Sequence, residues 1–218
     1  MLAGVRAIFF DFDGTLVDSF AAIAASVNHV RASHGLKSLD EADVRCHVGR
    51  GPEHLLRNTV GVGAMSENLA IYRAHHPSVM NERTTLLPGA LEAVRAAKHS
   101  GRRVGVCSNK PRFFTKELVD YLDLGEYIDA VFGPEDVARV KPAPDMLRKA
   151  LEWMKVQPQE ALYVGDMVVD IETGLGAGVA VWVVPTGCDD LRTLETAGPE
   201  RILKDLFELA ALLSESHA

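Results

Sequence analysis

Two aspartates separated by one residue are the first candidates for chemistry in this chain. Asp11 and Asp13 directly follow the apolar run 7–10, and Gly14 comes next. Such a short apolar run is typical of a strand buried on both faces. Residues two apart on an extended chain point the same way, so we expect both carboxylates to face one crevice at the strand's carboxyl end. Their repulsion requires a divalent cation, a raised pKa on one of them, or both. An acidic turn in water is the alternative for such a pair in isolation.

Further polar residues follow the later predicted strands. Strands are predicted at residues 103–107, 127–132, 161–164 and 179–184, with helical patterns between them. This alternation predicts right-handed crossovers and a mainly parallel sheet covered on both faces. In such a sheet the carboxyl ends of the strands share one edge, so five residues should converge with the aspartate pair: Ser108, Asn109, Lys141, Asp166 and Asp170. Each alone has an ordinary explanation as a cap, a turn residue or a surface charge, but their joint order favours one site.

The segment between the first strand and Thr84 has a different pattern. Phe20, Ile23 and Val27 recur at spacings of three and four, which indicates an amphipathic helix, and shorter helical patterns follow. No strand is predicted from Val17 to Thr84. We therefore predict a catalytic core formed by residues 1–15 and 85–218, with a helical cap domain of residues 16–84 inserted after the first strand.

Composition limits the classes of function. The chain has 218 residues, 47% of them hydrophobic and 24% charged, as in ordinary globular proteins. A formal net charge of −7 argues against a nucleic-acid partner. The 3 cysteines are widely spaced and form no CxxC pattern, which favours reduced thiols in the cytoplasm. No signal-peptide pattern and no apolar stretch long enough to span a bilayer is found. We expect a cytoplasmic monomer or homodimer that binds neither membrane nor nucleic acid.

The four strand-end motifs together resemble the haloacid dehalogenase superfamily, in its phosphatase branch. The matching pieces are Asp11-Phe12-Asp13-Gly14-Thr15, Ser108-Asn109, Lys141-Pro142 and Gly165-Asp166-x-x-x-Asp170. The inserted helices are similar to that superfamily's α-helical cap. The resemblance implies an α/β fold with a Rossmann-like parallel-sheet core, in which the first strand lies between the second and the fourth. The dehalogenase branch lacks an aspartate at the position of Asp13, which disfavours dehalogenation.

The implied reaction is the hydrolysis of a phosphate monoester through a covalent aspartyl-phosphate. Phosphate monoesters hydrolyse so slowly unaided that no single catalytic device suffices, and a covalent route divides the barrier. Asp11 would be the nucleophile, and Asp13 would protonate the leaving group and later accept a proton from water. Lys141 would hold phosphoryl oxygens and offset charge among the carboxylates.

The same residues would hold a metal and the phosphoryl group. Mg²⁺ would be bound by Asp11, the backbone carbonyl of Asp13 and Asp166, with Asp170 as a direct or water-mediated ligand. Phosphoryl or substrate contacts are expected from three more residues: Thr15, Ser108 and Asn109.

Selectivity has to come from the cap, because no core motif selects a substrate. Arg50 lies between two glycines ahead of a predicted helix, where it could meet an anion or simply be a surface arginine in a turn. The surrounding stretch resembles the phosphoglycolate phosphatase subgroup, in which the position of Arg50 is variable. The leading substrate is therefore 2-phosphoglycolate among small phosphorylated metabolites. A phosphoglucomutase-like phosphoryl transferase and a non-catalytic binding module on the same fold are the alternatives.

Overall fold

A parallel sheet centred on the first strand organises the protein. The computed structural model describes Leu2 and residues 4–215. Its strands are β1 (Ala7–Phe10), β2 (Val17–Asp18), β3 (Thr85–Leu86), β4 (Arg103–Cys107), β5 (Ala130–Phe132), β6 (Ala161–Gly165), β7 (Ala180–Val183) and β8 (Arg201–Ile202). Six of them form one parallel sheet in the order β5-β4-β1-β6-β7-β8. The predicted α/β fold, with β1 between the second and fourth core strands, is confirmed.

The helices cover both faces of this sheet and form the inserted segment. They are α1 (Phe20–Ser33), α2 (Glu41–Arg45), α3 (Pro52–Thr59), α4 (Met65–His75), α5 (Pro77–Met80), α6 (Ala90–His99), α7 (Arg112–Tyr121), α8 (Asp145–Met154), α9 (Val168–Ala177), α10 (Leu191–Ala197) and α11 (Leu206–Glu215). Two short 3₁₀ helices occupy Pro134–Asp136 and Pro158–Glu160. In residues 2 and 4–215, no helix has the length and apolar character that crossing a bilayer requires.

Burial on both sides explains the apolar run of β1. Ile8 and Phe10 pack into one hydrophobic cluster, whereas Ala7 and Phe9 pack into another. All four side chains have no solvent exposure. Because alternate residues of a strand face opposite sides of the sheet, a strand covered on both sides has no polar face.

The inserted helices leave and rejoin the core through a small ribbon. β2 and β3 pair in antiparallel fashion, with Val17 opposite Leu86 and Asp18 opposite Thr85. The prediction of no strand from Val17 to Thr84 is therefore wrong at Val17 and Asp18, because a two-residue strand is too short to show a periodicity. Helices α1–α5 lie between the two strands of this ribbon. We propose that they form the cap domain, with its boundaries at residues 16 and 84.

One core strand is shorter than predicted. The alternation at residues 127–132 predicts a strand, but β5 begins only at Ala130. The backbone N–H groups of Tyr127 and Ile128 instead donate to the carbonyl of Leu124, at 3.0 and 3.2 Å. These bonds close a turn after α7, which removes the first residues of the predicted strand from the sheet.

Candidate active site

The carboxyl ends of β1 and β4 meet the cap at a small cavity of about 40 Å³. Four predicted site residues line it: Asp11, Asp13, Ser108 and Asn109. The opposite wall comes from the cap, through residues 48, 49, 51, 52 and 55 and Tyr72 of α4. The cavity therefore lies between the strand ends of the core and the inserted helices, beside the predicted nucleophile.

Three buried carboxylates form an acidic cluster beside this cavity. Each of Asp11, Asp166 and Asp170 offers an oxygen, and these oxygens all lie within 4.8 Å of one another. Asp11 Oδ1 and Asp166 Oδ2 are buried, and neither has a hydrogen-bond partner among residues 2 and 4–215. Unpaired buried carboxylate oxygens are costly unless a cation compensates them. The cluster therefore has the donor chemistry of a divalent-cation site.

Burial and mutual repulsion make this cluster reluctant to carry its full negative charge. Burial raises the pKa of Asp166 well above its usual value, and Asp170 and Asp11 raise it further. Burial likewise raises the pKa of Asp11 to about 6, although Lys141 acts in the opposite direction. A bound cation would offset both effects, because it favours the ionised carboxylates.

Lys141 neutralises part of the negative charge of this cluster. Its ammonium lies 2.9 Å from Asp11 Oδ2 and 2.7 Å from Asp170 Oδ1, with no exposed side-chain surface. It also donates to the Tyr163 hydroxyl at 3.0 Å. Burial disfavours the charged ammonium, but the attraction of Asp11 and Asp170 is larger and raises the pKa of Lys141. Lys141 is therefore a permanent cation that touches the predicted nucleophile.

Asp170 differs from the other two carboxylates because protein groups occupy both of its oxygens. Oδ1 accepts from Lys141 and lies 3.0 Å from the Tyr163 hydroxyl. Oδ2 accepts from the backbone N–H groups of Asp166 and Met167 at 3.2 and 3.1 Å. Asp170 thus fixes the loop that leads from β6 into α9 and holds Lys141 in position.

Thr15 and Gly14 shape the surroundings of Asp166. The Thr15 hydroxyl donates to Asp166 Oδ1 at 2.6 Å. Thr15 is fully buried and, among the residues that the structure describes, is not part of the cavity wall. Gly14 has a φ of +87°, and a Cβ there would lie 2.3 Å from Asp166 Oδ2. The sequence predicts a substrate contact for Thr15, whereas the structure places its hydroxyl on a carboxylate of the acidic cluster.

Lys110 is a site residue that the sequence analysis did not identify. Its ammonium lies 3.1 and 3.4 Å from the two carboxylate oxygens of Asp13, and its side chain is 4% exposed. Asp13 Oδ1 also accepts from the Ser19 hydroxyl at 2.6 Å. The available signal was position alone, since Lys110 directly follows the Ser108-Asn109 motif at a strand end.

The cap loop touches the core through Asn109. Its side-chain amide donates to the carbonyls of Gly49 and Lys141, both at 3.0 Å, and its Oδ1 accepts from the Lys141 backbone N–H. Asn109 therefore joins two core loops and the cap. Arg50, the predicted anion contact, is exposed and is not among the cavity-lining residues that the structure describes.

Known proteins are similar to this chain in both sequence and fold. The family model described as haloacid dehalogenase-like hydrolase matches residues 8–184. A phosphoglycolate phosphatase from Rhodospirillum rubrum is 35% identical over 193 residues, which cover 84% of this chain and 80% of that protein. A phosphoglycolate phosphatase from Aquifex aeolicus is 33% identical over 185 residues, or 82% of this chain and 85% of that protein.

Solved structures of other proteins are similar to this chain in fold. The crystal structure of a putative haloacid dehalogenase-like hydrolase from Bacteroides fragilis superposes with a TM-score of 0.88 and 28% identity, over 94% of this chain and 99% of that one. A predicted phosphoglycolate phosphatase from Haemophilus somnus gives a TM-score of 0.86 at 22% identity, covering 96% and 98% of the two chains. This second likeness is one of fold.

Proposed function

This chain belongs to the haloacid dehalogenase-like hydrolase family, and we propose that its site hydrolyses the phosphate ester of 2-phosphoglycolate. The observation that carries the reaction type is the placement of Asp11. Its carboxylate follows a buried strand and lines the cavity. One carboxylate oxygen contacts the Lys141 ammonium, and the other has no hydrogen-bond partner among the described residues. The substrate is supported by the phosphoglycolate phosphatases that are 35% and 33% identical over most of this chain.

The chain's own residues divide the reaction into two steps. Asp11 attacks the phosphorus atom, the bond from phosphorus to the leaving oxygen breaks, and an aspartyl-phosphate forms. Asp13, two residues on and in the same cavity wall, gives a proton to the leaving alkoxide. It then takes a proton from the water that hydrolyses the aspartyl-phosphate. Lys141 stabilises the charge that develops on the phosphoryl oxygens.

The acidic cluster fits Mg²⁺, and its two unpartnered buried oxygens support this assignment. Asp11, Asp166 and the backbone carbonyl of Asp13 would hold the ion, which would draw charge from the phosphoryl oxygens when bound. Because the protein already occupies both oxygens of Asp170, we assign this residue a water-mediated role. The Ser108 hydroxyl and the backbone N–H group of Asn109, in the cavity wall, would donate to the phosphoryl group.

A test of this function compares the wild type with Asp11→Asn on a panel of phosphate esters. With Mg²⁺ the wild type should release phosphate, most efficiently from 2-phosphoglycolate, and EDTA should stop the release. Asp11→Asn should lose turnover by at least about 10³-fold, because the nucleophile is removed, while its thermal unfolding shows a folded protein. Near-normal turnover of the variant would refute the covalent mechanism.

The same panel separates the alternatives. A phosphoryl transferase would convert a sugar phosphate to its isomer once a bisphosphate primer is added, whereas a phosphatase releases inorganic phosphate. A non-catalytic binding module would be inactive on every ester with Mg²⁺ present.

A further inference from the structure

Lys110 is a buried, charged residue in the cavity wall, and the two-step reaction gives it no role. Its side chain is 4% exposed, and its ammonium contacts both oxygens of Asp13. Of the cavity-lining residues that the structure describes, Lys110 is the one with a cationic side chain. Lys141 lies deeper and is shared between Asp11 and Asp170, so its charge already serves the phosphoryl site.

The surroundings of Lys110 strengthen its attraction for an anion. Ile23, Leu55, Tyr72 and Phe114 line the same cavity with mainly apolar surface. A charge interacts more strongly in such surroundings than in water, because few solvent dipoles screen it. An ammonium also has three N–H donors, and its contacts to one carboxylate leave a donor for a second acceptor.

The distance between the leaving oxygen and the Lys110 ammonium limits which second group of a substrate can reach Lys110. Proton donation requires Asp13 to lie about 2.8 Å from the leaving oxygen. The Lys110 ammonium is 3.1 Å from Asp13. The ammonium therefore lies within about 6 Å of the leaving oxygen. A carboxylate joined to the leaving oxygen through one carbon reaches this distance with a hydrogen bond. A group several carbons further away would extend beyond Lys110.

We propose that Lys110 is a specificity-determining residue that binds the second anionic group of the substrate, a carboxylate one carbon from the ester oxygen. The Lys110 ammonium then shares or exchanges its Asp13 contact for the substrate carboxylate. This assignment rests on the proposed phosphatase function and replaces exposed Arg50 as the expected anion contact. It requires no covalent change in the protein.

The test uses non-hydrolysable ligands, so that it does not depend on turnover. 3-Phosphonopropionate carries both a phosphonate and a carboxylate, whereas propylphosphonate has the same chain length and lacks the carboxylate. Their dissociation constants are measured by calorimetry with Mg²⁺ present, for the wild type and for Lys110→Gln, which retains an N–H donor for Asp13. Lys116→Met, at an exposed lysine on α7, controls for the general loss of a positive charge.

The wild type should bind the carboxylated ligand about 10–150-fold more tightly than propylphosphonate, the range for a charge-assisted contact. Lys110→Gln should lose most of this preference and Lys116→Met should retain it. If Lys110→Gln does not fold, Lys110→Arg, which keeps the charge, should retain a preference.

Two results would overturn the assignment in different ways. A preference that persists in Lys110→Gln, or disappears in folded Lys110→Arg, excludes Lys110 as the carboxylate contact while 2-phosphoglycolate remains the substrate. A wild type without any preference excludes both this contact and the substrate, although release of phosphate from other esters would still establish the phosphatase.

Discussion

At the scale of single residues, hydrogen-bond partners distinguish the three carboxylates of the acidic cluster. Protein groups occupy both oxygens of Asp170, whereas Asp11 and Asp166 each keep a buried oxygen that has no partner within the described part of the chain. The other oxygen of Asp166 accepts from Thr15 at 2.6 Å. This bond fixes the orientation of Asp166 and directs its free oxygen toward the cluster. Thr15 would therefore support the proposed metal ligand Asp166.

We expect Thr15→Val to weaken the response to Mg²⁺. Valine has nearly the shape of threonine but cannot donate to Asp166, and losing such a supporting bond typically lowers metal affinity about 10–100-fold. The Mg²⁺ concentration for half-maximal phosphatase rate should rise accordingly. Thr173→Val is a matched control, since its buried hydroxyl donates to the Val169 carbonyl inside α9. An equal change in both variants would contradict the supporting role of Thr15.

The positions of residues at the strand ends predict which residues lie together, but not which contacts each of them makes. The convergence of Asp11, Asp166 and Lys141 follows from a parallel sheet whose carboxyl ends share one edge. The bond from Thr15 to Asp166 joins residues 151 positions apart, and no local pattern indicates it. Lys110 has the sequence appearance of an ordinary surface lysine, because its contact with Asp13 joins residues 97 positions apart.

At the scale of elements, the docking of the cap depends on contacts made by short helices. Arg45, at the end of α2, lies over the Phe20 ring at 4.0 Å. Its guanidinium also donates to the carbonyl of Thr186 in the core. Phe20 begins α1, separated by one residue from the β2 strand. Arg45 therefore connects α2, the first residue of α1 and a core loop.

Arg45→Met should shift the protein toward a more open cap. Methionine retains apolar contact with Phe20, while the bond to Thr186 is lost at a cost of about 1 kcal/mol, or roughly 5-fold in the equilibrium constant between the closed and the open cap. We expect kcat/KM to fall about 5-fold for esters with and without a carboxylate. The equal effect distinguishes Arg45 from Lys110. Arg73→Met, at an exposed arginine on α4, is the control, and selective loss for carboxylated esters would contradict the docking role.

Helix periodicity predicts a long helix of the inserted segment such as α1, but it does not detect short strand pairings. The apolar spacing of Phe20, Ile23 and Val27 indicates α1 because a helix repeats over several turns. The β2–β3 ribbon joins Val17 to Leu86 across the whole insertion. Two-residue strands contain no repeat to detect, so this pairing becomes visible only when the chain has folded.

At the scale of the whole molecule, a buried histidine lies at the seam between cap and core. His76 follows α4, is fully buried, and stacks on Tyr72 at 5.1 Å. Its ring also meets Phe114 of the core helix α7 edge-on at 5.0 Å. Nδ1 lies 2.9 Å from the Ser26 hydroxyl, and Nε2 has no hydrogen-bond partner in the part of the chain that the structure describes. This seam therefore accepts a neutral imidazole and has no site for an imidazolium.

Burial, together with the positive charge of Lys110 and the neighbouring His75, lowers the pKa of His76 to about 2. The unfolded chain takes up this proton near pH 6.5. Between these two values the unfolded state binds more protons, so stability falls as the pH decreases below about 6.5. The contribution of His76 is fully present above that pH, which makes the seam sensitive to acid.

His76→Phe should remove this sensitivity while keeping an aromatic ring between Tyr72 and Phe114. At pH 5, about 1.5 units below the unfolded value, the wild type should lose roughly 2 kcal/mol of unfolding free energy through His76. Urea unfolding at pH 7.5 and pH 5 measures this loss, which should be smaller by about that amount in the variant. His99→Phe, at an exposed histidine on α6, measures the effect of replacing a surface histidine. If wild type and His76→Phe lose equal stability between the two pH values, the acid sensitivity of the molecule arises elsewhere than at the seam.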